Sequence, residues 1–234
     1  MNKNILMIGA TSGVGKSLLK SLLLDKNCNI YATHHKSKII NNSKSLKTLP
    51  LNIHDLKSIK KFIQNLKTIK FDKVLLLAAY TPDTKNTKNS KFGNLDKKYF
   101  DKFLGINCFG NTKIFESLVK MKKLKKNAKI VFFSSLAGSI EMRGKMKHNK
   151  KFGNLFYRIS KAALNCSIKN LSYDFKEKFT IVALHPGYTN LGSGKNDAIL
   201  DKFYVIKTML KTIKSLKKKD NGKFINFDGS LIKW

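Results

Sequence analysis

The feature that most constrains this chain is a set of short runs that are apolar without alternation. Asp72–Ala79 reads DKVLLLAA, and Lys3–Ile8 (KNILMI), Asn29–Thr33 (NIYAT), Lys129–Ser134 (KIVFFS) and Thr180–Leu184 (TIVAL) are of the same kind. A strand wetted on one face alternates polar and apolar residues. An unbroken run suits a strand covered on both faces, as in a parallel sheet. Between the runs lie stretches that read as helices: Lys16–Leu24, a segment capped by Asp55 and running to about Lys67, Asp96–Lys125, Leu155–Lys178, and a segment around Asp197–Leu216. Leu46–Leu51 and Lys223–Phe227 read as further strands, and Thr81–Asn94 as a polar loop. Parallel strands need right-handed crossovers, so this alternation predicts a doubly wound α/β sheet of about seven strands in one domain. A chain of 234 residues spans that single domain, 1–234.

The charge narrows the partners. Lys and Arg number 47 against 14 Asp and Glu, a net charge of +33. Only Arg143 and Arg158 are arginine; every other basic residue of that count is lysine. Such a charge can be a footprint for nucleic acid or an anionic membrane. It can also follow from a coding bias toward Lys, Asn, Ile and Phe. Arginine, the better reader of phosphates and bases, is nearly absent, and the lysines are scattered. A solvated basic surface is therefore the preferred reading, with neither nucleic acid nor membrane expected as partner. Cys28, Cys108 and Cys166 form no CxxC and no Cys/His cluster, so neither a metal nor a disulfide framework is expected. A reducing cytoplasm is the simplest location. No apolar run is long enough to span a bilayer, and the N-terminal run breaks at Gly9 without a cleavage pattern.

Gly9-Ala10-Thr11-Ser12-Gly13-Val14-Gly15 stands between the first strand and the first helix. Gly9 permits a sharp turn, Gly13 a close backbone approach to a pyrophosphate, and Gly15 tight helix–sheet packing. The helix N-terminus then favours the anion. The GxxxxGK[ST] phosphate loop fails by one residue, because Val14 stands where its second glycine would fall. After the second strand comes Ala32-Thr33-His34-His35-Lys36, with no acid to meet a ribose 2′-hydroxyl. Basic residues there favour a 2′-phosphate, hence NADP(H) over NAD(H).

Tyr157 and Lys161 form a YxxxK on the predicted helix and so share one face. A tyrosine of ordinary pKa, about 10, is a poor acid–base at neutral pH. An ammonium beside it favours the phenolate and lowers that pKa. Proton transfer to or from a carbonyl or alcohol oxygen fits the arrangement. Ser134 and Ser135 end the preceding strand, where such sheets bind ligands, and a serine hydroxyl there could hold the substrate oxygen.

These motifs, in this order, resemble the short-chain dehydrogenase/reductase family over essentially the whole chain. Ile8–Gly15 resembles its TGxxxGxG, with Ile8 in place of threonine. Asn107 in INCFG resembles its helix asparagine, Ser135 its catalytic serine, Tyr157 and Lys161 its acid–base pair, and Pro186-Gly187 its PG motif. FYRISKAALN (Phe156–Asn165) and the tail GKFINFDG (Gly222–Gly229) closing on Trp234 are similar to the C-factor and sniffer-like carbonyl reductase branch. The resemblance implies a Rossmann-like fold and hydride transfer between NADP(H) and a small-molecule carbonyl or secondary alcohol. The alternative it allows is a C-factor-like signalling protein that binds the cofactor with little turnover.

By the same resemblance, Tyr157 donates the proton, Lys161 lowers its pKa and binds the nicotinamide ribose, Ser135 orients the carbonyl, and Asn107 holds a water that links Lys161 to solvent. The cofactor would lie along Gly9, Thr11, Ser12, Gly13, Val14 and Gly15. His35, Lys36, Asn52 and Ile53 would meet its adenosine end. Ala78 and Ala79 would border its ribose, and Pro186, Gly187 and Thr189 its nicotinamide. The family commonly pairs long helices into homodimers or homotetramers, and the narrower branch need not, so the resemblance leaves the oligomeric state open. The sequence departs from the family at Leu76–Ala79, which lacks the expected asparagines, at Asn52 in place of an acid, at His35 in place of an arginine, and at Leu191 in place of a threonine. The Lys-rich piece Met142–Lys151 lengthens the path from Ser135 to Tyr157.

Overall fold

A computed structural model describes residues 2–11, 13–39, 43–81, 90–145, 154–188 and 200–234. In chain order the elements are β1 (Lys3–Ile8), α1 (Gly13–Leu22), β2 (Cys28–His34), β3 (Leu46–Pro50), α2 (Leu56–Asn65) and β4 (Phe71–Leu76). A small antiparallel hairpin follows, β5 (Ser90–Lys91) and β6 (Asn94–Leu95), then α3 (Lys97–Leu104), a π-helical turn (Gly105–Gly110) and α4 (Asn111–Lys120). The chain closes with β7 (Leu124–Phe133), α5 (Leu155–Asp174), β8 (Thr180–His185), α6 (Lys202–Ser215) and β9 (Phe224–Asn226).

Seven strands form one parallel sheet in the order β3-β2-β1-β4-β7-β8-β9. This is the Rossmann-like doubly wound sheet. The unbroken apolar runs have a direct cause: successive residues point to opposite faces, and both faces are covered. Leu6 and Ile8 enter one core with α2, α4 and α5; Ile5 and Met7 enter the other with α1 and α6. Ile130 and Phe132 against Val131 and Phe133 divide in the same way on β7. The strand order reverses between β1 and β4, which opens a crevice beyond their carboxyl ends.

Four readings from sequence are corrected. Asp96–Lys125 is not one helix. It is α3, a π turn and α4, after which β7 starts at Leu124 rather than Lys129. The π turn lies where the helix presses on the loop after β3. A Cβ on Gly105 would stand 2.6 Å from the His54 ring, and one on Gly110 2.6 Å from the Ile53 carbonyl oxygen. Thr81–Asn94 is not wholly loop, since β5 and part of β6 fall in it; residues 82–89 lie outside those described. α5 ends at Asp174 rather than Lys178, and the last helix opens at Lys202, with Asp201 as its cap. Asp55 caps α2 as expected, its carboxylate accepting from Lys57 N at 2.9 Å.

Beyond β9 the chain folds back on the sheet edge. Gly229 has φ +89°, Asn226 N donates to Ser230 O at 2.8 Å, and Ile232 N donates to Phe224 O at 2.8 Å. Trp234 packs its ring 5.3 Å from that of Phe224. The tail also grips the segment after β7: Ser139 Oγ donates to Lys233 O at 2.5 Å, and Glu141 N to Trp234 O at 3.1 Å.

Candidate active site

A cavity of about 880 Å³ opens beyond the carboxyl ends of the central strands. Gly9, Thr11, Gly13, Val14 and Gly15 line one side. The turn is drawn tight: a Cβ on Gly9 would lie 2.7 Å from Ala78 N, and one on Gly15 2.2 Å from Gly9 O. Gly9 and Gly13 have φ of +92° and +52°. Thr33 fixes the turn, its Oγ1 accepting from Gly9 N at 3.0 Å. α1 begins at this turn with no acid in its first turn, so the positive end of its dipole faces the cavity. These residues fit a dinucleotide pyrophosphate.

His35 and Lys36 stand exposed at the far end of the cavity, and Asn52 and Ile53 border it. Ala78 and Ala79 line it from the end of β4. Asn111 steadies that segment, its Nδ2 donating to Ala78 O at 3.0 Å. Pro186 and Gly187 line the opposite wall, Gly187 with φ +83°. Ser12, Thr189 and Leu191 lie outside the described residues.

Ser135, Tyr157 and Lys161 meet in the middle of the cavity wall. Ser135 caps a 3-10 turn, Leu136–Gly138, its Oγ accepting from Ala137 N at 3.1 Å. It is also hydrogen-bonded to Tyr157. Gly138 lets this turn lie directly on α5, because a Cβ there would be 2.7 Å from the Lys161 carbonyl carbon. Asn165, one turn beyond Lys161, ties the two together. Its Oδ1 accepts from Ser134 Oγ at 2.5 Å and its Nδ2 donates to Gly138 O at 3.1 Å. Tyr157, Lys161 and Asn165 thus form one stripe at fourfold spacing on α5.

Lys161 is buried, and its Nζ donates to Phe133 O at 2.7 Å. Burial lowers its pKa to about 8. Its Nζ is 5.9 Å from the centre of the Tyr157 ring. Burial pushes the Tyr157 phenol up, and the opposing influence is its hydrogen bond to Ser135.

Asn107 sits fully buried in the π turn, and both donors of its carboxamide are taken, by Tyr80 O at 2.9 Å and Ser160 Oγ at 2.9 Å. Its Oδ1 accepts from Tyr80 N at 2.6 Å. The side chain therefore fastens the segment after β4 to α5.

His185 directly precedes Pro186-Gly187 at the end of β8. Its side chain is buried at the cavity wall, with Nδ1 lacking a partner among the described residues. Burial, and then the charge of Lys161, lower its pKa to about 4. The signal in the sequence was its place at a strand end just before Pro186-Gly187. Among the described residues no group of three or more His, Cys, Asp or Glu could hold a metal ion, and no helix is long and apolar enough to cross a membrane.

A doubly wound sheet, a glycine turn at its switch point and a Ser–Tyr–Lys set define a dinucleotide-dependent oxidoreductase. The family model for short chain dehydrogenases matches residues 3–198. The chain belongs to that family and is an NAD(P)-dependent enzyme of it. It is 27% identical over 259 residues to an uncharacterized oxidoreductase of Schizosaccharomyces pombe, covering 99% of this chain and 98% of that one. It is 27% identical over 143 residues to the C-signal protein of Myxococcus xanthus, covering 61% of this chain and 82% of that one. The carbonyl reductase Sniffer of D. melanogaster superposes over the full length of both chains with a TM-score of 0.84 at 23% identity. An NADPH-bound carbonyl reductase from chicken fatty liver gives 0.82 at 24% identity, covering 100% of this chain and 94% of that one. Both solved structures share the fold.

Proposed function

We propose that this enzyme reduces a small carbonyl compound with NADPH, or runs the reverse oxidation of a secondary alcohol, with Tyr157 as the acid–base. The observation that carries the reading is the convergence of Ser135, Tyr157 and Lys161 on one cavity wall beside the glycine turn. The bound nicotinamide supplies or accepts the hydride. Ser135 orients the substrate oxygen through its hydroxyl. Tyr157, kept protonated by burial, gives its proton to that oxygen. Lys161 is still largely an ammonium at pH 7, and its charge stabilises the phenolate that results. Phe133 O holds the ammonium in place through the ladder of β7. His35 and Lys36, with no carboxylate beside them in the cavity lining, support a 2′-phosphate and thus NADPH over NADH.

Titration of the purified protein with NADPH and NADH, followed by bound-cofactor fluorescence, tests the cofactor. NADPH should bind more tightly, and failure of both to bind would end the reading. Tyr157→Phe should lower turnover by about 10²–10⁴-fold while NADPH still binds. Turnover that survives the change would remove Tyr157 from the chemistry.

A further inference from the structure

Away from the catalytic cavity, a groove of about 980 Å³ runs along the outer side of α1 and α6. Helical spacing creates it. On α1, Leu18, Leu19 and Leu22 turn into the core, while Ser17, Lys20 and Ser21 line the groove. On α6, Phe203, Ile206 and Leu210 follow one another at spacings of three and four and form an apolar stripe about 10 Å long on the groove floor. Leu24 extends the floor just beyond α1. Phe203 is 73% exposed and Leu24 83%, so among the described residues nothing covers the ends of this floor.

The rim is basic beyond the background of this lysine-rich chain. Five of the twelve described residues that line the groove are lysine, about twice the chain's own share, and none is aspartate or glutamate. Lys214 is offset by Asp25 at 2.9 Å, and Lys202 Nζ lies 5.0 Å from the centre of the Phe203 ring beside it. Lys20 on α1 and Lys207 and Lys211 on α6 are exposed and have no carboxylate partner among the described residues. Of the chain's acids only Asp83 and Asp197 lie outside those residues. With Asp25 and Asp201 counted as well, even both of them would leave the five lysines in excess.

An apolar floor under a positive rim is complementary to an anion that carries a hydrocarbon tail. The volume lies within the range of about 300–1,000 Å³ usual for small-molecule sites. A bilayer needs apolar side chains that project, whereas Ile206 and Leu210 are recessed between two helices. A second copy of the chain would bring its own +33 toward these lysines. We propose that the α1–α6 groove binds a free long-chain fatty acid, its acyl chain along Phe203, Ile206 and Leu210 and its carboxylate among Lys20, Lys207 and Lys211.

The test is calorimetry of the full chain at about 0.15 M salt, where non-specific attraction is screened, with each amphiphile below its micelle concentration. One equivalent of laurate should bind. A fully buried methylene is worth about fourfold, so in this open groove laurate should bind at least about tenfold more tightly than octanoate, which is four methylenes shorter. Dodecyl maltoside, with a similar tail and no charge, should bind about fivefold more weakly than laurate. Lys207→Gln combined with Lys211→Gln should weaken laurate by about the same factor and leave dodecyl maltoside unchanged. Lys60→Gln with Lys61→Gln removes equal charge from the exposed side of α2 and should change neither. Phe203→Asp, at an exposed position, should abolish laurate binding with the melting temperature kept. Absence of laurate binding, indifference to tail length, or equal losses in the two lysine pairs would overturn the proposal. If laurate fails to bind but Phe203→Asp abolishes binding to phosphatidylcholine–phosphatidylglycerol vesicles, or a dimer seen by sedimentation, the occupant is a membrane or a second copy and the proposal falls.

Discussion

Gly138→Ala is the sharpest probe of how the site is assembled. Gly138 ends the turn that carries Ser135, and it lies against the backbone of α5 at Lys161. An added Cβ would be 2.7 Å from the Lys161 carbonyl carbon and 2.8 Å from both its Cβ and its carbonyl oxygen. Comfortable carbon–carbon contact begins near ~3.5 Å, so the turn must retreat by roughly 0.7 Å. The obstructing atoms belong to the middle of a helix and cannot swing aside. The φ of Gly138 is outside the left-handed region, so with room to spare alanine would stabilise the protein by about 0.4–1 kcal/mol through the unfolded chain. Overpacking costs about 1–3 kcal/mol. The balance is a loss of up to about 2.6 kcal/mol, which for a domain of this size lowers Tm by up to roughly 10 °C. The same retreat draws Ser135 away from Tyr157. A displacement near 1 Å can lower a rate by about 10²-fold, so kcat should fall about tenfold or more with KM less affected. Thermal melts and NADPH oxidation with an accepted aldehyde measure both. A variant that melts at or above the wild-type temperature with kcat intact would refute the tight contact and the positioning derived from it.

Two further outcomes follow from buried groups. His185 has a folded-state pKa of about 4 against an ordinary 6.5, so between those values the unfolded chain takes up a proton that the folded protein refuses. Stability is therefore lost as pH falls through that window, by about 3 kcal/mol for this group. Stability curves of His185→Gln should be flatter between pH 6.5 and 4, and an identical slope would contradict the assignment. Asn107→Ala removes three hydrogen bonds and leaves both backbone polar groups of Tyr80 without their side-chain partner. Urea denaturation should show a loss of about 2–4 kcal/mol, and a loss below about 1 kcal/mol would show that the carboxamide does not brace the site.

The sheet was legible because a doubly covered strand leaves a simple trace: both faces must be apolar, so Lys3–Ile8 and Thr180–Leu184 could be placed within a residue or two. The π turn was not legible. Helical periodicity runs through Asp96–Lys120 with little break, and the reason for the bulge is tertiary, in the contacts of Gly105 and Gly110 with the loop after β3. The site showed the same division. Motif spacing picked out Ser135, Tyr157 and Lys161, which the fold brings to one cavity wall, since a strand end and a helix face are local positions. It did not show the bonds of Asn107 to Tyr80 and Ser160 and it passed over His185, because hydrogen-bond partners and burial are set by residues distant in sequence. The raised phenol of Tyr157 belongs to the same class, as an ammonium four residues away predicts the opposite direction until desolvation is weighed.

The fold-back after β9 has a consequence for self-association. An open sheet ends in two strands whose free N–H and C=O groups can template the addition of another chain. Here Ile232 N donates to Phe224 O, and Ile225 bridges Leu231 in antiparallel register, so the tail occupies the edge that β9 would otherwise offer. At the other margin β3 is five residues long, carries Lys47, and ends on Pro50, which has no N–H to give. One margin is blocked by the chain itself and the other by charge and proline. Strand-to-strand stacking into fibres is thereby discouraged at both ends of a seven-stranded sheet.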